Sequence, residues 1–151
     1  MTLETEVQSL RQIPMFREVD SARLRLLAFT SERMQFAPGQ RFFQQGDVAD
    51  AAYVILTGGA HIVLDTGEGE IELAELGPDA LLGEMGILAD SPRSASVVAS
   101  EATVALRIDR GVFLELLVQF PQLALGVMRE LAARLERTNA QLAAAQAPAG
   151  A

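Results

Sequence analysis

The stretch from Gly83 to Ala95 reads Gly-Glu-Met-Gly-Ile-Leu-Ala-Asp-Ser-Pro-Arg-Ser-Ala. It joins a carboxylate flanked by glycines, about one helical turn of apolar residues, and an arginine set between Pro92 and Ser94. Glycines let a backbone approach a ligand closely, and a short helix starting near Glu84 would aim free N–H groups and the positive end of its dipole at an anion. Arg93 presents a planar fork of donors that matches phosphate oxygens, while Ser94 adds a hydroxyl and its own N–H. Glu84 has the wrong sign for a phosphate ligand, but a carboxylate accepts hydrogen bonds well from a sugar hydroxyl. Phosphate and ribose side by side make a nucleotide. An arbitrary Glu and Arg would more often be a surface ion pair; the residues around these two favour the ligand role.

Such a site needs a scaffold. Asp20 precedes Leu24, Leu26, Leu27 and Phe29, which predicts a capped amphipathic helix at roughly 20–31. From about Gln35 to Asp109 short apolar runs alternate with turn signals at Pro38-Gly39, Gly46-Asp47, Gly58-Gly59, Gly67-Glu68-Gly69 and Gly77-Pro78-Asp79. That punctuation describes an antiparallel barrel or jelly roll. Tyr53 to Leu56 is apolar on both faces, as in a central strand, whereas Glu70-Ile71-Glu72-Leu73 alternates as in a half-exposed one. His61 alternates opposite to Ile62 and Leu64 and is assigned to a solvent-facing position without chemistry.

After Asp109 the period is helical again. Val112, Phe113, Leu116 and Leu117 form one short amphipathic helix that stops at Phe120, and Pro121 suits the first position of a second. In that last helix Ala124, Met128, Leu131, Leu135, Thr138, Leu142 and Ala145 are spaced alternately by four and three, a heptad seam. The seam has three uses open to it: its own barrel, the same helix of a second subunit, or both. Residues 146–151 carry no anchoring side chain and are expected to be disordered. The fold class is therefore α+β, mainly β: an antiparallel jelly roll with N-terminal helices and two C-terminal helices, one domain over 1–145.

The 151 residues carry 12 Lys+Arg and 20 Asp+Glu, a net charge of −8, with one histidine and no cysteine. Thiolate zinc sites, disulfides and multi-histidine metal centres are excluded, and no metal or other cofactor is expected. The acidic balance disfavours DNA, which needs clustered basic residues. Arg11, Arg17, Arg23, Arg25, Arg33 and Arg41 are interleaved with acids and read as a solvated face. No apolar run approaches the ~18 residues of a membrane span, and the N-terminus lacks a signal-peptide pattern, so a cytoplasmic location is expected.

The Gly83-Glu84 start, small apolar middle and Arg93-Ser94-Ala95 end resemble the phosphate-binding cassette of cyclic-nucleotide-binding domains, and the likeness extends over nearly the whole chain. The resemblance implies that Glu84 binds the ribose 2′-hydroxyl, that Arg93 binds the cyclic phosphate, and that Gly83, Ser94 and Ala95, with Met85 beside them, complete the cradle. By register from Pro121, Arg134, Thr138 and Asn139 sit where catabolite-activator-like members place residues that meet the purine. Ile62 and Leu73 are assigned to the apolar wall under the base. Thr138 also breaks the apolar seam, a packing cost that a purine amino group would offset, although a fraying helix end would tolerate it too.

The ligand so implied is cyclic AMP, with cyclic GMP as the alternative because the Ser94 hydroxyl could reach a guanine amino group. Full activators of this type continue into a helix-turn-helix that this sequence lacks, so the expected output is a helix movement presented to an effector protein. A phosphodiesterase or metal oxygenase on the same scaffold would need clustered ligands or an aligned base that one histidine and scattered carboxylates do not supply, so no enzyme activity is expected. A third reading, an interaction module that keeps the fold without binding nucleotide, is opposed by the intact Glu84 and Arg93.

Overall fold

Turn glycines with positive φ cut the middle of the chain into short strands. Gly39, Gly46, Gly58, Gly67 and Gly69 all adopt that left-handed conformation, which costs a residue without a Cβ little. The computed structural model describes residues 3–146; the tail expected over 146–151 lies, apart from its first residue, outside them. The first helix, α1 (Leu3–Arg11), is followed by a 3₁₀ turn at Pro14–Phe16 and by α2 (Ser21–Thr30), whose N-cap Asp20 accepts a bond from the Arg23 N–H. The interleaved charges pair as expected for a solvated face: Arg25 with Glu4, Arg33 with Glu6 and Arg23 with Asp20.

Eight strands follow: β1 (Glu32–Phe36), β2 (Arg41–Phe43), β3 (Ala51–Thr57), β4 (Ala60–Asp65), β5 (Glu70–Leu76), β6 (Leu81–Leu82), β7 (Ser96–Ala99) and β8 (Thr103–Asp109). They form two four-stranded antiparallel sheets, ordered β1-β8-β3-β6 and β2-β7-β4-β5, the jelly roll that the turn spacing predicts. A short helix, α3 (Glu84–Leu88), interrupts the roll between β6 and β7, and α4 (Arg110–Gln119) and α5 (Pro121–Gln146) close the chain.

β3 explains why its residues are apolar on both faces. Ala51, Tyr53 and Ile55 join Phe36, Phe42, Leu82 and Val97 inside the roll, while Ala52 and Val54 pack with the helical residues Leu24, Leu27, Phe113 and Leu123. The strand separates two cores and lines both. Inside the roll Phe36 and Phe42 stack at 3.9 Å between ring centroids, with Tyr53 edge-on to both. Gly58 has φ +91°, and a Cβ there would lie 2.4 Å from the Thr103 hydroxyl. That hydroxyl bonds the Gly59 N–H and C=O and so ties the β3–β4 turn to β8.

Two expectations are corrected here. β5 is an edge strand whose first four residues are exposed on both faces rather than half-exposed, with Ile71 49% and Leu73 48% exposed, while Ala74 and Leu76 are half-buried. Of the α5 seam, Leu131 packs on the core of its own chain, while Met128, Leu135 and Leu142 are more than half exposed. At 3.6 residues per turn, Leu123, Val127 and Leu131 share one face, and that face meets the core. His61 is half-buried rather than fully solvent-facing, and its Nδ1 lies against the Glu72 carboxylate across the β4–β5 hairpin.

Candidate functional site

The Gly83–Ala95 segment carries α3 and connects β6 to β7. Gly83 caps α3 with φ +82°, where a Cβ would meet Arg93 Nη1 at 2.9 Å and the Phe43 ring at 3.1 Å. Gly86 lets α3 lie against Ala49, whose Cβ would stand 2.7 Å from a Cβ at 86. At the far end the backbone of Arg93 pairs with the Gly46-Asp47 turn: the Gly46 N–H donates to Arg93 O at 2.8 Å, and the Arg93 N–H to Asp47 O at 2.9 Å. Both ends of the segment are therefore fixed to the β2–β3 connection, and the side chains of Glu84 and Arg93 are turned inward.

Glu84 is fully buried and Arg93 nearly so. Arg134, reaching over from α5, donates to Glu84 Oε1 at 2.7 Å and to Leu81 O at 2.8 Å. Burial pushes the Glu84 carboxyl above its ordinary value of 4.5, and the positive charge of Arg134 opposes that rise. Arg93 gives its two terminal nitrogens to Gly83 O and Ala51 O, its guanidinium lies 4.0 Å from the centre of the Phe43 ring, and Asp50 stands 3.7 Å away. Desolvation lowers its pKa, although not into a range where an arginine loses its charge.

A hollow of about 80 Å³ lies between these groups, lined by Phe43, Ile62, Leu82, Val97, Arg134 and the segment residues Gly83 to Gly86 and Arg93 to Ala95. Among the described residues, three buried polar atoms on its lining residues have no hydrogen-bond partner: Glu84 Oε2, Arg93 Nε and Arg134 Nε. Buried polar groups are nearly always satisfied, so an unpaired acceptor and two unpaired donors on residues lining one hollow make it the candidate ligand site. Met85 and Arg134 also border a second, apolar hollow of about 390 Å³ completed by Leu131, Ala132, Leu135 and Thr138. A larger hollow, about 470 Å³ between Pro14, Pro78 and Arg129, has no buried polar side chain in its lining.

Of the residues singled out from sequence, Gly83, Glu84, Met85, Arg93, Ser94, Ala95, Ile62 and Arg134 surround the inner hollow. Three do not. Thr138 is exposed, bonds back to Arg134 O at 3.0 Å and borders only the apolar hollow. Asn139 is exposed on α5 and borders neither. Leu73 lies outside because the register shifts between Ile62 and Val63, pairing them with Ala74 and Glu72 and leaving Leu73 unpaired on the sheet edge. Phe43 was missed: the three-residue strand Arg41-Phe42-Phe43 is too short to give a periodic signal.

Residues 33–120 match the sequence model described as "Cyclic nucleotide-binding domain". The "Cyclic AMP receptor protein" of Thermus thermophilus is 33% identical over 130 residues, 85% of this chain and 60% of that protein. This chain thus spans less than two thirds of that relative. A cyclic nucleotide-binding-like protein from Brucella abortus has a solved structure that superposes with a TM-score of 0.62 at 34% identity, covering 75% of this chain and 97% of that one. The sensor domain of the transcriptional regulator DNR from Pseudomonas aeruginosa gives a TM-score of 0.78 at 25% identity, covering 89% and 91%.

Proposed function

Since the chain belongs to the cyclic nucleotide-binding domain family, we propose that it is a non-enzymatic sensor of cyclic AMP, with cyclic GMP as the alternative ligand. The observation that carries this reading is the convergence of Glu84 Oε2, Arg93 Nε and Arg134 Nε, all buried and unpartnered, on residues lining one hollow. An anionic phosphate answers Arg93, with Ser94 and the Ala95 N–H beside it, and a ribose hydroxyl answers Glu84. The inner hollow alone is far below the ~300 Å³ of a small-molecule site. The purine therefore occupies the apolar hollow beyond Met85, against Leu131, Leu135 and Thr138. Similarity to a protein named for cyclic AMP supports the adenine base.

Binding is coupled to α5 through Arg134, which both caps Glu84 and belongs to the helix that walls the outer hollow. A ribose that bonds Glu84 changes what holds Arg134, and α5 shifts by as much as the ligand's differential affinity for its two positions allows. An effector protein reads that shift, and the exposed Met128, Leu135 and Leu142 suit a homodimer through α5. No DNA, membrane or metal enters this reading.

A backbone amide NMR titration with cyclic AMP tests it. Resonances of residues 83–95 and of α5 from about Leu131 onward should move together and saturate. Movement confined to 83–95 would refute the helix coupling, and no movement at all would refute the ligand.

A further inference from the structure

Phe42 and Phe43 are consecutive on β2, so in a regular strand their side chains would point to opposite faces. Here both serve the interior. The register against β7 shifts between Arg41, opposite Val98, and Phe43, opposite Val97, and such a bulge re-aims a side chain. Phe42 thereby stacks on Phe36 within the roll, and Phe43, packed against the edge of the same core, turns its ring to Arg93. Gly83 leaves the space this needs, since a Cβ there would press on both the ring and the guanidinium.

We infer that Phe43 is a positioning residue for Arg93: its ring fixes the plane of the guanidinium and so the direction in which the remaining donor meets the ligand's phosphate. The two terminal nitrogens are held by Gly83 O and Ala51 O, while Nε is buried and unpartnered. Two bonds on one side of a fork leave the plane free to rock about them, and a ring face 4.0 Å from the central carbon stops that motion. Attraction between a cation and an aromatic face is strongest where water is excluded, and the Arg93 side chain is 2% exposed. This inference rests on the nucleotide reading for its ligand, but not for its geometry.

The test uses the full chain, with Phe43→Leu to remove the ring's charge distribution and Phe43→Tyr to keep it. In calorimetric titrations with cyclic AMP, Phe43→Leu is expected to bind about tenfold more weakly, some 1.4 kcal/mol, and Phe43→Tyr to stay within about threefold of wild type. Equal affinity of Phe43→Leu and wild type, or equal losses in the leucine and tyrosine variants, would each overturn the inference. Without ligand, the Arg93 Nε–Hε resonance should be sharp and slowly exchanging in wild type and Phe43→Tyr, and broadened in Phe43→Leu. Identical resonances in all three would overturn it too. Failure of the wild type to bind would count against the nucleotide reading alone, leaving this ligand-free measurement to decide the role of Phe43.

Discussion

Replacing Arg134 by alanine should cost the fold more than its surface position on α5 suggests, and the cost should depend on pH. Glu84 is 0% exposed and, among the described residues, has Arg134 as its only side-chain partner, at 2.7 Å, while the Arg134 side chain keeps 23% of its own surface. Removing one member of a buried pair typically costs ~3–5 kcal/mol because the other charge is stranded. Glu84 escapes part of that by taking up a proton. From an ordinary value of 4.5, protonation at pH 7 costs about 3.4 kcal/mol, and less from a raised one. The loss at pH 7 is thus bounded at about 3.4 kcal/mol, or roughly 7–14 °C in Tm for a domain of this size. At pH 5 the same protonation costs under about 0.7 kcal/mol, so most of the deficit should vanish. Adding Glu84→Gln to Arg134→Ala should recover at least ~1 kcal/mol at pH 7, since a neutral amide needs no counter-charge. Urea unfolding at both pH values reads all three quantities. A penalty below ~0.5 kcal/mol, or one that does not change with pH, would refute the picture of Arg134 as the counter-ion of a buried carboxylate.

In the wild type the raised Glu84 pKa means that the native state holds this proton more tightly than the unfolded chain does. Its contribution to stability is therefore complete below 4.5 and lost as pH rises through the raised native value, opposite to a salt-bridged surface carboxylate; Glu84→Gln should remove that decline in pH-dependent unfolding curves. Gly58→Ala places a Cβ 2.4 Å from Thr103 Oγ1 at φ +91° and should destabilise by about 3 kcal/mol or more. Gly39→Ala, at a similar φ but with nothing within 4 Å, should cost only about 1 kcal/mol in the same thermal melts. Leu135→Glu should leave stability within ~0.5 kcal/mol while abolishing any dimer seen by sedimentation velocity; a dimer that survives would place the interface elsewhere.

Much of this was legible because it is written in local signals. The turn glycines, Asp20, Pro121 and the change from period two to period 3.6 predict the elements, and Gly83, Glu84 and Arg93 lie close enough in sequence to read as one site. What escaped depends on register and on long-range packing. One shift in the β4–β5 ladder removes Leu73 from the hollow, and one on β2 brings Phe43 into it. The seam of α5 obeys heptad spacing, but spacing names no neighbour, and Leu123 and Val127 took the core. The pairing of Arg134 with Glu84 spans fifty residues of chain, and no local pattern encodes it.

Isothermal titration of the wild type and of Arg93→Ala with cyclic AMP and cyclic GMP tests the central claim most directly. The account predicts micromolar or tighter binding by the wild type, about −8 kcal/mol or better, stronger for cyclic AMP and absent in the variant. A folded wild-type protein that binds neither nucleotide, or a variant that binds as well as the wild type, would contradict it.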